Sequence, residues 1–222
     1  MSGAWENKPK LIIAIPHTGH VTMAWALAFR QLDHPPALYC LNRGIPLDIA
    51  RNELASEVFK HDAEWLFFLD SDVIPPRDAI IKLMSHNLDI VGGLYYKRMP
   101  PVHPAMWRLA PKPRPEGKYI PIMHFQKGQL IECDVIGMGC TLIHRRVLER
   151  LEQPYFKWTQ WWKRDGVSED FYFCEKAKEA GFRIYCDTSI ICRHEFQGYT
   201  ADVVPNKDNA ISFYPHIGFT DV

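Results

Sequence analysis

Three places in this sequence carry side chains whose types and spacing suit chemistry. The first is Asp70-Ser71-Asp72, which follows the apolar run from Trp65 to Leu69. In an extended segment residues i and i+2 point the same way, so both carboxylates can converge on one hard cation. Mg²⁺ and Mn²⁺ favour oxygen ligands and are often held by one or two carboxylates together with substrate phosphates. The same aspartates would also suit a capped turn, because aspartate bonds local backbone amides after a strand. The second place is Ser168-Glu169-Asp170, at the head of a helical stretch. Acidic residues in a first turn complement the helix dipole, and a carboxylate beside a cleft can equally take a proton. The third is His194, at the far end of a strand-like run. It suits either a ligand for a borderline cation or a hydrogen-bonded surface residue.

Chemistry at these places needs elements that bring them together. Residues 11–15 form a continuous apolar run ended by Pro16, as expected of a strand buried on both faces. Further strands are expected at 37–41, 65–69, 89–95, 130–135, 140–143 and 183–192. Helices are expected at 18–32, with Ala24, Leu27, Ala28 and Gln31 on one face, and at 46–60. Others are expected at 77–85, opened by Pro75-Pro76, at 145–152, and at 169–180, with Ser168 as N-cap and Gly181 as terminator. Alternation of strand and helix over the first hundred residues predicts one mixed, mainly parallel sheet with helices on both faces. Ligands of such sheets sit outside the carboxyl ends of the strands, where Asp70 and Asp72 fall.

The rest of the sequence narrows the class of function. The chain has 222 residues, 47% hydrophobic, with 26 basic and 26 acidic side chains and no formal net charge. That balance argues against non-specific nucleic-acid binding, which calls for a basic surplus. No apolar stretch approaches the ~20 residues that cross a bilayer, and residues 1–10 show no signal-peptide core. Cys40, Cys133, Cys140, Cys174, Cys186 and Cys192 form no C-x-x-C pair and sit mostly in apolar segments. They read as buried free thiols, which points to a cytoplasmic protein. Between residues 99 and 129, seven prolines alternate with basic and aromatic side chains, a texture of long structured loops. Tyr95-Tyr96-Lys97-Arg98 and Trp107-Arg108 suit either stacking and phosphate neutralisation or packing under those loops. Trp158, Trp161 and Trp162 suit either an acceptor platform or the core. Beyond Gln197 the sequence supports no assignment of elements.

These pieces, in this order, resemble the GT-A glycosyltransferases, in particular the family-2-like group. The resemblance runs from residue 10 to about 195. It rests on the first strand, Ala50-Arg51-Asn52, the stretch 68–76 around Asp70 and Asp72, the stretch 135–143 around Gly137-Met138-Gly139, and Ser168-Glu169-Asp170-Phe171. It implies an α/β fold of GT-A (Rossmann-like) type, a mixed, mainly parallel sheet flanked by helices. It further implies a single catalytic domain over 1–197, with a nucleotide-sugar half (10–98), an acceptor half (99–197) and a tail (198–222). By the same resemblance, Asp70 lies near donor ribose and metal, Asp72 and His194 bind Mn²⁺ or Mg²⁺, and Arg51 and Asn52 face the donor. Asp170 is then the base that deprotonates an acceptor hydroxyl, with Glu169 beside it. The donor would be a UDP- or GDP-sugar, and the acceptor a glycan, lipid-linked sugar, protein or modified nucleobase. Only Asn42 and Arg43 offer polar groups for recognition of the base. A nucleotidyltransferase on a similar sheet would carry a glycine-rich basic signature near the first strand, whereas Ile15-Pro16-His17-Thr18-Gly19 has one glycine and no lysine or arginine. A non-catalytic binding module would have no need of Asp70, Asp72, Asp170 and His194 together.

Overall fold

The computed structural model describes residues 10–43, 46–98, 101–112, 117–159, 167–196, 199–205 and 211–217, with the backbone alone given from residue 196 on. The chain begins with β1 (Leu11–His17), α1 (Met23–Arg30), β2 (Ala37–Arg43), α2 (Leu47–Lys60), β3 (Trp65–Leu69), β4 (Val73–Ile74), α3 (Ala79–Ser85) and β5 (Ile90–Leu94). It continues through β6 (Met106–Leu109), β7 (Tyr119–Pro121), β8 (Leu130–Cys133), β9 (Val135–Ile136), β10 (Cys140–His144) and α4 (Arg145–Arg150). The last elements are α5 (Glu169–Glu179), β11 (Ile184–Ile191), β12 (Arg193–Phe196), β13 (Tyr199–Pro205) and β14 (Ile211–Ile217).

Seven strands form the central sheet in the order β2-β1-β3-β10-β5-β11-β8. Pairing is parallel for β1 with β2, β1 with β3 and β5 with β11, and antiparallel wherever β10 or β8 takes part. Five strands therefore run one way and two the other, the mixed, mainly parallel sheet that the sequence predicts. The alternation of the pleat divides the core in two. Ile12, Ala14, Leu66 and Phe68 face Leu54 and Val58 of α2 and Phe173 of α5. Leu11, Ile13, Phe67 and Leu69 face Trp25 of α1 and Ile80 and Leu83 of α3. Both faces are covered, which is why the strands read as unbroken apolar runs.

Helix α1 departs from its expected form. It starts at Met23 rather than residue 18, because the Thr22 hydroxyl caps it by accepting from the Trp25 amide at 3.0 Å. Its buried residue is Trp25, with Ala28 and Phe29 partly buried beside it, and Leu27, on the face read from the sequence, is 50% exposed. Pro75-Pro76 precede a turn rather than the helix itself, and α3 starts at Ala79 after Asp78. Tyr199–Pro205 and Ile211–Ile217 are strands, so that β14-β13-β12-β4 make a second, antiparallel sheet. Among the described residues no helix is long and apolar enough to cross a membrane. All six cysteines are free thiols.

Between β9 and β10 the chain passes through Gly137-Met138-Gly139 against the ring of Tyr95. A Cβ on Gly137 would lie 2.1 Å from the Tyr95 hydroxyl, and one on Gly139 would lie 2.8 Å from Val73 Cγ2. That hydroxyl accepts from the Gly139 amide at 3.0 Å, while the Gly139 carbonyl accepts from the Asp70 amide at 3.0 Å. Gly137→Ala should therefore cost about 1–3 kcal/mol, the usual range for overpacking. Urea unfolding of the variant checks this, and wild-type stability would contradict the close approach.

Candidate active site

Asp70 leaves the end of β3, with its amide bonded to Gly139 and its carbonyl accepting from the Trp25 indole at 3.0 Å. The chain turns at once, since the Val73 amide bonds back to the Asp70 carbonyl at 3.1 Å. This turn interrupts the extended i, i+2 alternation and gives the two carboxylates different partners at the edge of one cleft. Asp70 turns to Arg51, while Asp72 turns to His194 and Arg98.

Strand pairing places His194 beside Asp72. His194 is opposite Val73 in the β4–β12 ladder, and the Glu195 amide donates to the Asp72 carbonyl at 2.8 Å. Nδ1 of His194 lies 2.7 Å from the Tyr96 carbonyl, which can only accept, so Nδ1 carries the proton. Nε2 is left pointing at Oδ2 of Asp72 across 3.6 Å. Either a proton on Nε2, which makes this an imidazolium facing a carboxylate, or a metal cation satisfies both atoms. Burial raises the Asp72 pKa, but hydrogen bonding and charge from His194, then charge from Arg98, outweigh it and hold the carboxyl below its ordinary value. Among the described residues no group of three or more His, Cys, Asp and Glu side chains is arranged around one metal position. Asp72 and His194 nevertheless fit a two-ligand divalent site completed by phosphate oxygens and water. An imidazole oriented by a carbonyl on its other nitrogen is the usual form of such a ligand.

The second half of the site is built around one buried cation. Arg51 projects from the inner face of α2 and is 1% exposed. Its Nη2 donates to Asp70 Oδ2 at 3.1 Å, and its Nη1 lies 3.0 Å from Asp70 Oδ1. Its Nε is 3.4 Å from Glu169 Oε1 and 3.6 Å from Asp170 Oδ1, and the guanidinium lies over the Phe68 ring. Nη1 of Arg51, Oδ1 of Asp70 and Oδ1 of Asp170 are buried without an aligned hydrogen bond. The 3.0 Å contact is thus an ion pair set off the hydrogen-bonding direction. Burial disfavours the Arg51 charge, yet Asp70, Asp170 and Glu169 more than offset this and its pKa rises.

One guanidinium cannot neutralise three carboxylates, and ionisation is most disfavoured at Asp170. Its pKa is raised well above the ordinary value, first by burial and then by Glu169, against the opposing pull of Arg51. The helix dipole, which a first-turn carboxylate complements, favours the ionised form. The one observed donor, the Met138 amide at 3.3 Å, belongs to the glycine loop and is too weak to prevail. Ser168 occupies the N-cap position of α5 but makes no side-chain capping bond.

Both halves open on one cleft of about 440 Å³ at the carboxyl ends of β1, β2 and β3. Arg51, Asp70, Asp72, Glu169, Asp170 and His194 all line it, together with Lys97 and Arg98. Asn52, expected to face the donor, does not. Its Oδ1 accepts from the Tyr155 and Phe156 amides at 2.7 and 3.1 Å, and its Nδ2 donates to the Asp48 and Phe156 carbonyls. It clamps the chain near residue 155 against α2. Asn42 lines the cleft and donates to Glu53, while Arg43 lies over Gly19. Trp107 packs on Phe171 and His103, and Trp158 is 41% exposed. Trp161 and Trp162 lie outside the described residues. Sequence reasoning missed Thr22 and Trp25. The Thr22 hydroxyl donates to the Glu195 carboxylate and the Trp25 indole to Asp70, so α1 braces both turns of the site.

No family model and no curated protein sequence matches this chain. Solved structures do. A197 from STIV aligns with a TM-score of 0.62 at 21% identity, over 96% of this chain and 98% of that one. GalNAc-T7, in a crystal structure with UDP, GalNAc and Mn²⁺, aligns with a TM-score of 0.53 at 11% identity. That alignment covers 86% of this chain and 44% of the GalNAc-T7 chain. At these identities the likeness is one of fold: the chain has a glycosyltransferase-like, GT-A architecture.

Proposed function

We propose that the chain is a metal-dependent glycosyltransferase moving a sugar from a nucleotide-sugar donor, a UDP- or GDP-sugar, to an acceptor hydroxyl. The observation that carries the reading is the meeting, in one cleft, of the Asp72–His194 pair with the carboxylate cluster around Arg51. GalNAc-T7, which shares the fold, was crystallised with UDP and Mn²⁺, and this favours the same class of ligand here. Asp72 and His194 would hold Mn²⁺ or Mg²⁺, which when bound neutralises charge on the departing diphosphate. Asn42 and His17, at the strand ends, border the space for the nucleoside. Asp70 and Arg51 form the floor under the ribose and donor sugar. Asp170 takes the proton of the acceptor hydroxyl as its oxygen bonds to the anomeric carbon and the bond to the diphosphate breaks. A base in this role goes with single displacement and inversion at that carbon.

Metal-dependent binding of the donor nucleotide tests the reading. A ligand specific for the native state raises its melting temperature, so one member of a panel of nucleotide sugars should do so with Mn²⁺ present. Asp72→Ala should abolish that shift and leave the melting temperature of the unliganded protein near wild type. Unchanged nucleotide affinity in the variant, with Mn²⁺ present, would sink the metal assignment.

A further inference from the structure

The positive charge facing Asp72 belongs to the chain itself. The Arg98 guanidinium pairs with Oδ2 of Asp72, the same oxygen that faces His194 Nε2. Arg98 lies two residues beyond Tyr96, whose carbonyl orients His194, so one short segment after β5 addresses both members of the pair. The Arg98 side chain is 41% exposed and lines the cleft beside Lys97. It is held at Asp72 by charge rather than by burial.

We propose that Arg98 is an exchangeable counter-cation: it occupies Asp72 until a divalent cation binds there, and then passes to the diphosphate of the donor as a clamp on the leaving group. This rests on the reading of the cleft as a nucleotide-sugar site. The argument is electrostatic. A guanidinium and a divalent cation cannot share one carboxylate oxygen without strong like-charge repulsion at a few ångströms. Binding of the cation at Asp72 therefore displaces Arg98. A diphosphate bound with that cation brings phosphate oxygens into the cleft that Arg98 lines, and the planar fork of arginine matches them. Arg98 thus opposes the metal when it arrives alone and assists the metal and nucleotide together. It couples the two binding events, so that each ligand tightens the other.

Opposite effects on the two ligands distinguish this from a merely structural role, which would weaken both or neither. The full chain, Arg98→Gln and Arg98→Lys are titrated with Mn²⁺ alone, read by the electron paramagnetic resonance of the free ion. They are then titrated with UDP and with GDP at saturating Mn²⁺ by calorimetry. Arg98→Gln should bind Mn²⁺ about two- to five-fold more tightly, the worth of a partly exposed charge pair. It should bind the nucleoside diphosphate about ten-fold or more weakly, as loss of a charge-assisted hydrogen bond implies. Arg98→Lys keeps the charge without the fork, so it should retain the competition with Mn²⁺ and lose only part of the nucleotide affinity. If wild type binds both ligands and Arg98→Gln binds them equally well, the role of Arg98 is overturned and the function stands. If wild type binds neither UDP nor GDP in Mn²⁺, the glycosyltransferase reading itself falls, and this proposal with it.

Discussion

Asp170→Asn should lower sugar transfer by roughly 10²- to 10⁴-fold, the usual contribution of a positioned general base. Donor and metal affinity should change little, because Asp170 lies at the Arg51 side of the cleft and not at the Asp72–His194 pair. The pH dependence carries a second signature. Burial and Glu169 hold the Asp170 carboxyl well above the ordinary carboxylate range. Transfer should therefore rise with pH along a limb displaced upward from that of a free aspartate. Glu169→Gln removes a neighbouring negative charge and should move this limb to lower pH. Stability runs the other way. A carboxyl whose folded pKa is raised contributes most below its unfolded pKa, near 4, and that contribution is lost as pH rises through the folded value. Asp170→Asn removes a group that ionises at a cost, so the variant should be at least as stable as wild type at neutral pH. In acid its advantage should vanish. A helix-capping role for Asp170 predicts the reverse, lower stability with near-normal turnover. Initial rates and melting temperatures of the three proteins across pH decide between them, and retention of anomeric configuration in the product would remove Asp170 as the base.

Arg51→Met should be the most damaging single change for the fold. It leaves Asp70, Glu169 and Asp170 around a position that is 1% exposed, with no cation to face them. Removing one partner of a buried ionic cluster typically costs about 3–5 kcal/mol, because the remaining charge is left uncompensated. The loss should depend on pH. Without Arg51 the three carboxylates repel one another, and their folded pKa values rise above the unfolded ones. The deficit relative to wild type should therefore shrink as the pH falls towards 4 and be widest at neutral pH. Arg51→Lys keeps a charge but not the fork that spans three carboxylates, and should fall between the two. Urea unfolding at neutral and mildly acidic pH measures this. A deficit that does not change with pH would mean that Arg51 acts through packing on Phe68 rather than through charge.

Much of this was legible in the sequence, and the reasons differ from element to element. Strands β1, β3, β5 and β11 stand out because they are buried on both faces, and burial of that kind demands unbroken apolar runs. Asp72 and His194 could be singled out because each follows such a run. The site's other half could be named but not drawn. Arg51 looks like any surface arginine on a helix, and only the tertiary structure turns it inward to three carboxylates. The different partners of Asp70 and Asp72 depend on a turn closed by the Val73 amide, which residue types do not reveal. Asn52 serves the backbone at Tyr155 and Phe156, a long-range contact with no local signature. In α1, Trp25 is the residue that turns inward, joining the core cluster that holds Ile15 and Leu69 and donating its indole N–H to the Asp70 carbonyl, while Leu27 stays half exposed.

Strand β10 lies between β3 and β5, although it follows both in the chain. Strands β1, β2, β3 and β5 therefore cannot make a continuous sheet by themselves; β3 and β5 share no edge until residues 140–144 lie between them. The same insertion brings Gly139 to the Asp70 amide and Met138 to Asp170. The insertion that completes the sheet thus also completes the backbone contacts around Asp70 and Asp170. The high sequence separation of these contacts makes that step slow relative to helix formation. Until residues 140–144 are in place, β3 and β5 each present an apolar strand edge, and such edges are templates for aggregation.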